Sequence, residues 1–148
     1  MRARSVDAQR LREIVRGIAD TGFLVAFANA RDLHHAWALD VAEQVTEPLL
    51  TCEAVLAETA FHLADTPLVF EMISEELIRL SFDCSDHLPP LAALAKRNKD
   101  RRPGLADLCL IRMSELYPRH SVITVDKDFR VYRRNKREVI PLISPPGR

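Results

Sequence analysis

The fold of this chain is best indicated by the stretch Val122-Ile123-Thr124-Val125-Asp126-Lys127-Asp128-Phe129. Residues 120–125 are rich in β-branched side chains and predict a buried strand, which leads directly into the carboxylate of Asp126. The stretch Ile18-Ala19-Asp20-Thr21-Gly22 has the same organisation, because an apolar run ends on Asp20 and a turn follows. Ligands of a parallel sheet bind beyond the carboxyl ends of its strands, so both aspartates are predicted at a binding edge.

Short apolar segments alternate with helical ones along the rest of the chain. Strands are predicted at residues 14–19, 48–51, 78–82, 120–125 and 139–143, and helices at residues 23–29, 34–45, 52–64, 66–76, 88–98 and 105–117. A further short helix is expected at residues 129–134. This alternation predicts an α/β fold in three layers, with a small parallel sheet of about five strands and helices on both faces.

The composition is that of a globular domain, with 148 residues and 47% hydrophobic side chains. No apolar run approaches the roughly 20 residues that a membrane span needs, and the first residues do not resemble a signal peptide. The three cysteines (Cys52, Cys84 and Cys109) are odd in number and lack metal-ligand spacing, which favours buried free thiols. We therefore expect a cytoplasmic protein.

The charges are unevenly distributed although the net charge is zero. Residues 32–95 hold one basic and twelve acidic residues, whereas residues 96–148 hold fourteen basic and six acidic residues. A solvated surface of mixed sign is one interpretation. The other is a polyanion held by the basic third against metal ions bound by carboxylates.

Four acids lie where apolar runs give way to turns, or on helices that pack against such runs: Asp20, Glu58, Asp107 and Asp126. Carboxylates without histidine or cysteine partners favour a hard cation, Mg²⁺ or Mn²⁺, which would share its remaining positions with water and a substrate phosphate. Each acid taken singly is more typical of a helix cap or a surface charge, and Asp107 in a helix first turn suits that alternative best.

Three neighbouring residues are expected to support these acids. Thr21 and Thr124 flank Asp20 and Asp126, and are predicted to orient them by hydrogen bonds. Asp128 is either a fifth acid or the cap of the helix that begins at Phe129.

The order of these elements resembles the PIN domain and, within it, the VapC-type toxins of bacterial toxin–antitoxin pairs. The resemblance rests on Asp20-Thr21-Gly22-x-Leu24, Val55-Leu56-Ala57-Glu58-Thr59, Leu105-Ala106-Asp107-Leu108 and Thr124-Val125-Asp126-Lys127-Asp128-Phe129, of which the last is the most specific. It implies metal-dependent cleavage of RNA, with Asp20, Glu58, Asp107 and Asp126 as the four acids of the metal site. It also implies an antitoxin partner and a homodimer. Residues 14–148 correspond to the nuclease domain, and residues 1–13 are an N-terminal extension.

RNA contacts are expected from two basic runs that flank the later acids. The first contains Lys96 and Arg97, and the second contains Arg130, Arg133 and Arg134. In the predicted fold both runs lie near the rim of the crevice and would lead a phosphate backbone to the metal. Tyr132, within the second run, is a candidate for stacking on a base.

Other interpretations remain open at this point. A phosphotransferase with an aspartate nucleophile normally needs a second acid two residues on, where this chain has Gly22. A non-catalytic RNA-binding module would be expected to lack one of the four acids. An RNA-processing nuclease without an antitoxin, and an antitoxin-like partner protein, are further alternatives. Asp32 and His35 are interpreted as structural, and His62, His87 and His120 as isolated histidines.

Overall fold

The computed structural model describes residues 16–147 and contains one central parallel sheet. Its strands are β1 (Gly17–Ala19), β2 (Leu49–Thr51), β3 (Ile78–Leu80), β4 (Ser121–Ile123) and β7 (Leu142–Ile143), in the spatial order β3-β2-β1-β4-β7. All four neighbouring pairs are parallel. The α/β fold predicted from the sequence is therefore confirmed, although each strand is shorter than predicted.

Six α-helices connect the strands: α1 (Thr21–Ala28), α2 (His35–Glu43), α3 (Glu53–Leu63), α4 (Thr66–Ser74), α5 (Leu88–Arg97) and α6 (Leu105–Leu116). Helix α1 packs against α2 and α3, whereas α6 packs against α5, β1 and β4. The central strands β1, β2 and β4 are covered on both faces, which is why their residues read as continuous apolar runs. The six helices predicted from periodicity are all present, with ends that differ by one or two residues in most cases.

The segment after β4 differs from its prediction. Residues 129–134 are not one helix, because a 3-10 turn at Lys127–Arg130 is followed by β5 (Arg133–Arg134). Strand β5 pairs antiparallel with β6 (Glu138–Val139) in a hairpin. Asn135 and Lys136 form its turn with φ values of 48° and 74°, the left-handed conformation that tight hairpins require. The predicted strand at 139–143 is thus divided between the hairpin and β7.

Strand β1 and the start of α1 pack tightly against the end of β4. A side chain at Gly22 would collide with Val125, so only glycine lets α1 begin this close to the residues that follow β4. The core around this junction includes Ile18, Phe23 and Ile123, all fully buried. This close approach determines the position of the acids described below.

Two further expectations concern the chain as a whole. No helix in residues 16–147 has the length and apolarity needed to cross a membrane. Cys52 and Cys109 are buried free thiols and Cys84 is a half-buried one. The predicted extension at residues 1–13, and the first two residues of the predicted strand 14–19, lie outside the described part of the chain.

Candidate active site

Asp20 lies at the carboxyl end of β1 and is almost fully buried, with 5% exposure. It is the N-cap of α1, and its Oδ1 accepts a hydrogen bond from the Thr21 amide at 2.6 Å. Its Oδ2 accepts the hydroxyl of Thr124 at 2.5 Å. The backbone amide of Asp20 donates to the carbonyl of Ile123 at 3.1 Å, which continues the ladder between β1 and β4. Both oxygens of this carboxylate are therefore fixed from two neighbouring strand ends.

Asp126 follows β4 at the same edge of the sheet. Its amide donates to Oγ1 of Thr124 at 2.9 Å, so one threonine hydroxyl contacts both aspartates. Its Oδ1 accepts the Asp128 amide at 2.9 Å and caps the 3-10 turn that begins at Lys127. The Thr-x-Asp spacing of this motif thus lets one side chain hold the carboxylate of Asp20 and the backbone of Asp126.

The other two acids come from helices. Glu58 lies in the middle of α3, where its Oε1 accepts the hydroxyl of Thr21 at 2.8 Å. Asp107 lies in the first turn of α6, where its Oδ2 accepts the Gly104 amide at 3.1 Å. An acid at this position both caps the helix and interacts favourably with its dipole.

These four acids line one cleft of about 450 Å³, together with Asp32, His34 and His62. Among residues 16–147, however, no three acidic, histidine or cysteine side chains surround one point closely enough to hold a metal ion as they stand. The structure thus brings the four acids to one cleft without directing them at one common point.

The electrostatics of the cleft disfavour its ionised state. Burial raises the pKa of Asp20 to about 6, and the hydrogen bonds from Thr124 and Thr21 offset only part of that effect. The charges of Asp107 and Asp126 raise it further. Burial likewise raises the pKa of Asp107, with added repulsion from Asp126 and Glu58. A group of carboxylates that repel one another across a partly dry cleft is stabilised by a cation.

Asp128 does not have the capping role expected for it, but its charge adds to the repulsion that raises the pKa of Asp107. The cap of the 3-10 turn is Asp126, and Asp128 lies inside the first turn. Its Oδ1 accepts Nη1 of Arg101 at 3.0 Å, in an ion pair that is partly exposed. Asp128 therefore links the loop before α6 to the segment after β4, and it is not among the residues that line the cleft.

The predicted RNA-binding residues fall into two groups. Lys96, Arg97 and Arg130 are exposed, the first two in the last turn of α5 and the third in a groove beside the cleft. Arg133 instead donates Nη1 to the carbonyls of Arg130, Val131 and Tyr132.

The structure does not support the RNA contacts predicted for Arg134 and Tyr132. Arg134 has 4% exposure, and its Nη atoms donate to the carbonyls of Ser114 and Pro118 and to Glu138. Tyr132 is buried with its ring edge-on to Phe129 at 5.2 Å between centroids, so it is not available to stack on a base. Both side chains face inward because the hairpin folds this basic run back onto α6.

Some histidines have structural contacts, and others line the cleft. His35 begins α2, and its Nδ1 contacts the carbonyl of Ala26 at 2.7 Å, consistent with the structural role predicted for it. Asp32 accepts the His34 amide at 2.8 Å. His34 and His62 line the acidic cleft, which the sequence analysis did not foresee. For His62 a signal existed, since it follows Glu58 by four residues on α3 and so lies on the same helix face.

Comparisons with known proteins bear on the fold and on the family. A model of the PIN domain family matches residues 18–135. The structure is also similar to the crystal structure of VapC20 from Mycobacterium tuberculosis, described as a toxin that cleaves the sarcin-ricin loop, with a TM-score of 0.67. The two sequences are 19% identical over 78% of this chain and 93% of VapC20, a likeness that concerns the fold. No curated protein matches the sequence.

Proposed function

The chain belongs to the PIN domain family, and from that premise we propose that it is a metal-dependent endoribonuclease that cleaves RNA in its acidic cleft. The observation that carries the proposal is the meeting of Asp20, Glu58, Asp107 and Asp126 on one cleft from four separate elements. Such a concentration of carboxylates destabilises the folded state unless a cation is bound. Proteins retain such an arrangement where it has a function.

The donor set fits Mg²⁺ or Mn²⁺, because all four acids offer oxygen, and hard cations prefer oxygen. Asp20 and Asp107 would be direct ligands, with Glu58 and Asp126 completing the site. When bound, the metal would lower the pKa of a water molecule and polarise the scissile phosphate.

The chain's own contribution is orientation of these acids. Thr124 holds Oδ2 of Asp20 and fixes the Asp126 backbone, while Thr21 holds Glu58. Side chains fixed in this way lose little freedom on binding metal and substrate, which is the support that outer residues give to a metal site.

The biological setting that fits best is the toxin of a bacterial toxin–antitoxin pair acting in the cytoplasm. Support comes from the family and from the similarity in fold to VapC20, itself described as a toxin that cleaves the sarcin-ricin loop. The partner would be an antitoxin that places a segment over the cleft, and an arginine would be its natural contact with the carboxylates. The second candidate is an RNA-processing nuclease with no antitoxin, which the same cleft also suits.

A homodimer is part of the same proposal. Helices α3 and α4 carry two large exposed aromatic side chains, Phe61 at 80% exposure and Phe70 at 64%. Exposed aromatic residues on adjacent helices are typical of an interface. Light scattering at tens of micromolar, on the order of the Kd for a modest interface, is expected to give an average mass between that of the monomer and twice that mass. A clean monomer would remove this part of the proposal.

The experiment that tests the function is cleavage of total cellular RNA followed on a gel. Mg²⁺ or Mn²⁺ is expected to support cleavage, and EDTA to abolish it. The Asp20→Asn variant, purified in the same way, controls for contaminating nucleases. Cleavage that persisted in EDTA or in this variant would contradict the proposed site. Expression of the wild type and of Asp20→Asn in bacteria separates the two settings, because a toxin should arrest growth through its cleavage activity and a processing nuclease should not.

A further inference from the structure

A second groove lies beside the acidic cleft and has a different chemistry. It encloses about 440 Å³, which is within the range of small-ligand sites. It shares His34, Val125 and Asp126 with the cleft, so any molecule bound there touches the same wall. An occupant of the groove would therefore lie next to a substrate in the cleft.

The groove combines cations with apolar and aromatic surface. Lys127 and Arg130 line it and are both exposed. Within residues 16–147 neither side chain forms an ion pair. Trp37, Leu33 and Pro145 supply apolar surface, and Leu33 is 89% exposed. This pairing of free positive charge with flat apolar surface is the chemistry of single-stranded nucleic-acid sites.

The cations of the groove differ from their neighbours in the same basic run. Arg133 and Arg134 donate to backbone carbonyls and are held by the fold. Arg130 makes no such side-chain contact with the described residues and faces the groove. Of the three arginines expected to contact RNA in this run, Arg130 is the one whose guanidinium remains available.

We propose that this groove binds one nucleotide of the RNA next to the scissile phosphate, with its phosphate on Lys127 and Arg130 and its base on Trp37 and Leu33. The inference rests on the proposed function, since the RNA is the substrate of the acidic cleft. It assigns selection among RNA sequences to a surface that contains only one of the four acids, Asp126. Stacking on an aromatic ring tolerates any base, so selectivity here would come from the shape of the wall around Leu33 and Pro145.

Trp37 gives a direct probe, because it is the single tryptophan of the chain. The Asp20→Asn variant, in which cleavage is expected to be slowed, is titrated with a dye-labelled single-stranded RNA of mixed sequence and roughly a dozen nucleotides. Dye anisotropy reports binding anywhere on the protein, and Trp37 emission reports occupation of the groove. We expect both signals to change with the same midpoint.

Two substitutions in this background test the contacts. Arg130→Ala should raise the Kd roughly threefold to tenfold and reduce the salt slope by about one unit. Leu33→Ala should raise the Kd by a similar factor with no change in salt slope, because it removes apolar contact alone. The matched controls are Arg137→Ala and Leu88→Ala, which remove exposed side chains that do not line the groove. All four positions are exposed, so the variants should fold normally.

The outcomes separate this inference from the function on which it rests. The groove assignment would be overturned if RNA changed the dye anisotropy without altering Trp37 emission, and if Arg130→Ala and Arg137→Ala had the same Kd for RNA. Metal-dependent cleavage by the wild type would uphold the nuclease in that case. No RNA binding together with no cleavage would overturn both. An acidic peptide that altered Trp37 emission at lower concentration than RNA would assign the groove to a protein partner instead.

Discussion

Asp20 and Arg134 are both charged and almost fully buried, with 5% and 4% exposure, yet their surroundings are opposite. The Nη atoms of Arg134 reach two backbone carbonyls and the carboxylate of Glu138, whereas its buried Nε has no acceptor among the described residues. Asp20 has two hydrogen-bond donors, but its nearest charged neighbours are other acids, and its pKa is raised to about 6.

Arg134 is a buried charge that stabilises the fold, whereas Asp20 is a buried charge that a bound cation would stabilise. A buried ion whose donors or acceptors are met by the protein contributes to structure, and its removal leaves partners unsatisfied. A buried ion among like charges is a net cost to the folded state at neutral pH, and that cost is relieved by a bound cation. Substitution at the two positions should therefore change different properties of the protein.

The largest expected effect is on cleavage by Asp20→Asn and Asp107→Asn. Each should lower the rate roughly 10²–10³-fold, the loss typical of removing one electrostatic group from an active site. Stability in urea should be unchanged or higher, because one member of a repelling group becomes neutral. An asparagine at position 20 can keep both contacts, accepting from the Thr21 amide and donating to Thr124. Asp40→Asn, on the exposed face of α2, is the control. Wild-type rates in both cleft variants would refute the site.

Arg134→Met should give the opposite result. Loss of the guanidinium leaves the carbonyls of Ser114 and Pro118 without these donors, which should lower the free energy of unfolding by about 2–3 kcal/mol. Activity per folded molecule should stay at the wild-type level. Arg137→Met, in the same hairpin but exposed, should change stability by less than about 0.5 kcal/mol. Equal urea midpoints for the two variants would mean that Arg134 is not structural.

A smaller effect is expected from Mg²⁺ or Mn²⁺ on thermal unfolding. A ligand at ten times its Kd stabilises the folded state by about 1.4 kcal/mol, or about 3–6 °C for a domain of this size. Calorimetry with and without EDTA measures this shift. Arg134→Met should retain it, and Asp20→Asn and Asp107→Asn should lose it. A wild type that bound no divalent ion at millimolar concentration would count strongly against a metal nuclease.

The smallest effect concerns the pH dependence of the Arg134 site. The hydrogen bonds from Arg134 and Asn135 lower the pKa of Glu138 in the folded protein. A carboxyl group with a lowered folded pKa adds stability above its unfolded pKa, and that stability is lost as the pH falls through the folded value. Urea midpoints of wild type and Glu138→Gln should therefore differ at pH 7 and converge only as the pH falls below the lowered pKa of Glu138. A constant difference across this range would exclude ionisation as its cause.

The sequence was informative about the acids because their positions follow from local patterns. The β-branched run before Thr124-Val125-Asp126 and the apolar run before Asp20 predict strands, and a parallel sheet brings strand ends to one edge. The periodicity of α3 and α6 likewise predicts which helices carry Glu58 and Asp107. The sequence did not reveal that Thr124 contacts both aspartates, since that depends on the register of β1 against β4.

The basic run after β4 was harder to interpret, because a positive charge does not indicate whether a side chain points into the protein or into solvent. The run contains three arginines, Arg130, Arg133 and Arg134, and all three were expected to contact RNA. The left-handed turn at Asn135 and Lys136 folds β6 back onto β5 and sends Arg134 toward α6. Tyr132 is buried by the same hairpin, so the prediction that its ring stacks on an RNA base was wrong.

Local sequence thus determined the type and order of most helices and strands, and which of them carry or precede the four acids. Those features depend on residues close together in the chain, where periodicity and turn chemistry act. Only the tertiary structure decided which charges meet partners and which face a cavity. A side chain's surroundings are built from distant segments, such as Ser114 for Arg134 and Thr124 for Asp20. Burial and pairing are consequences of packing, and no local pattern encodes them.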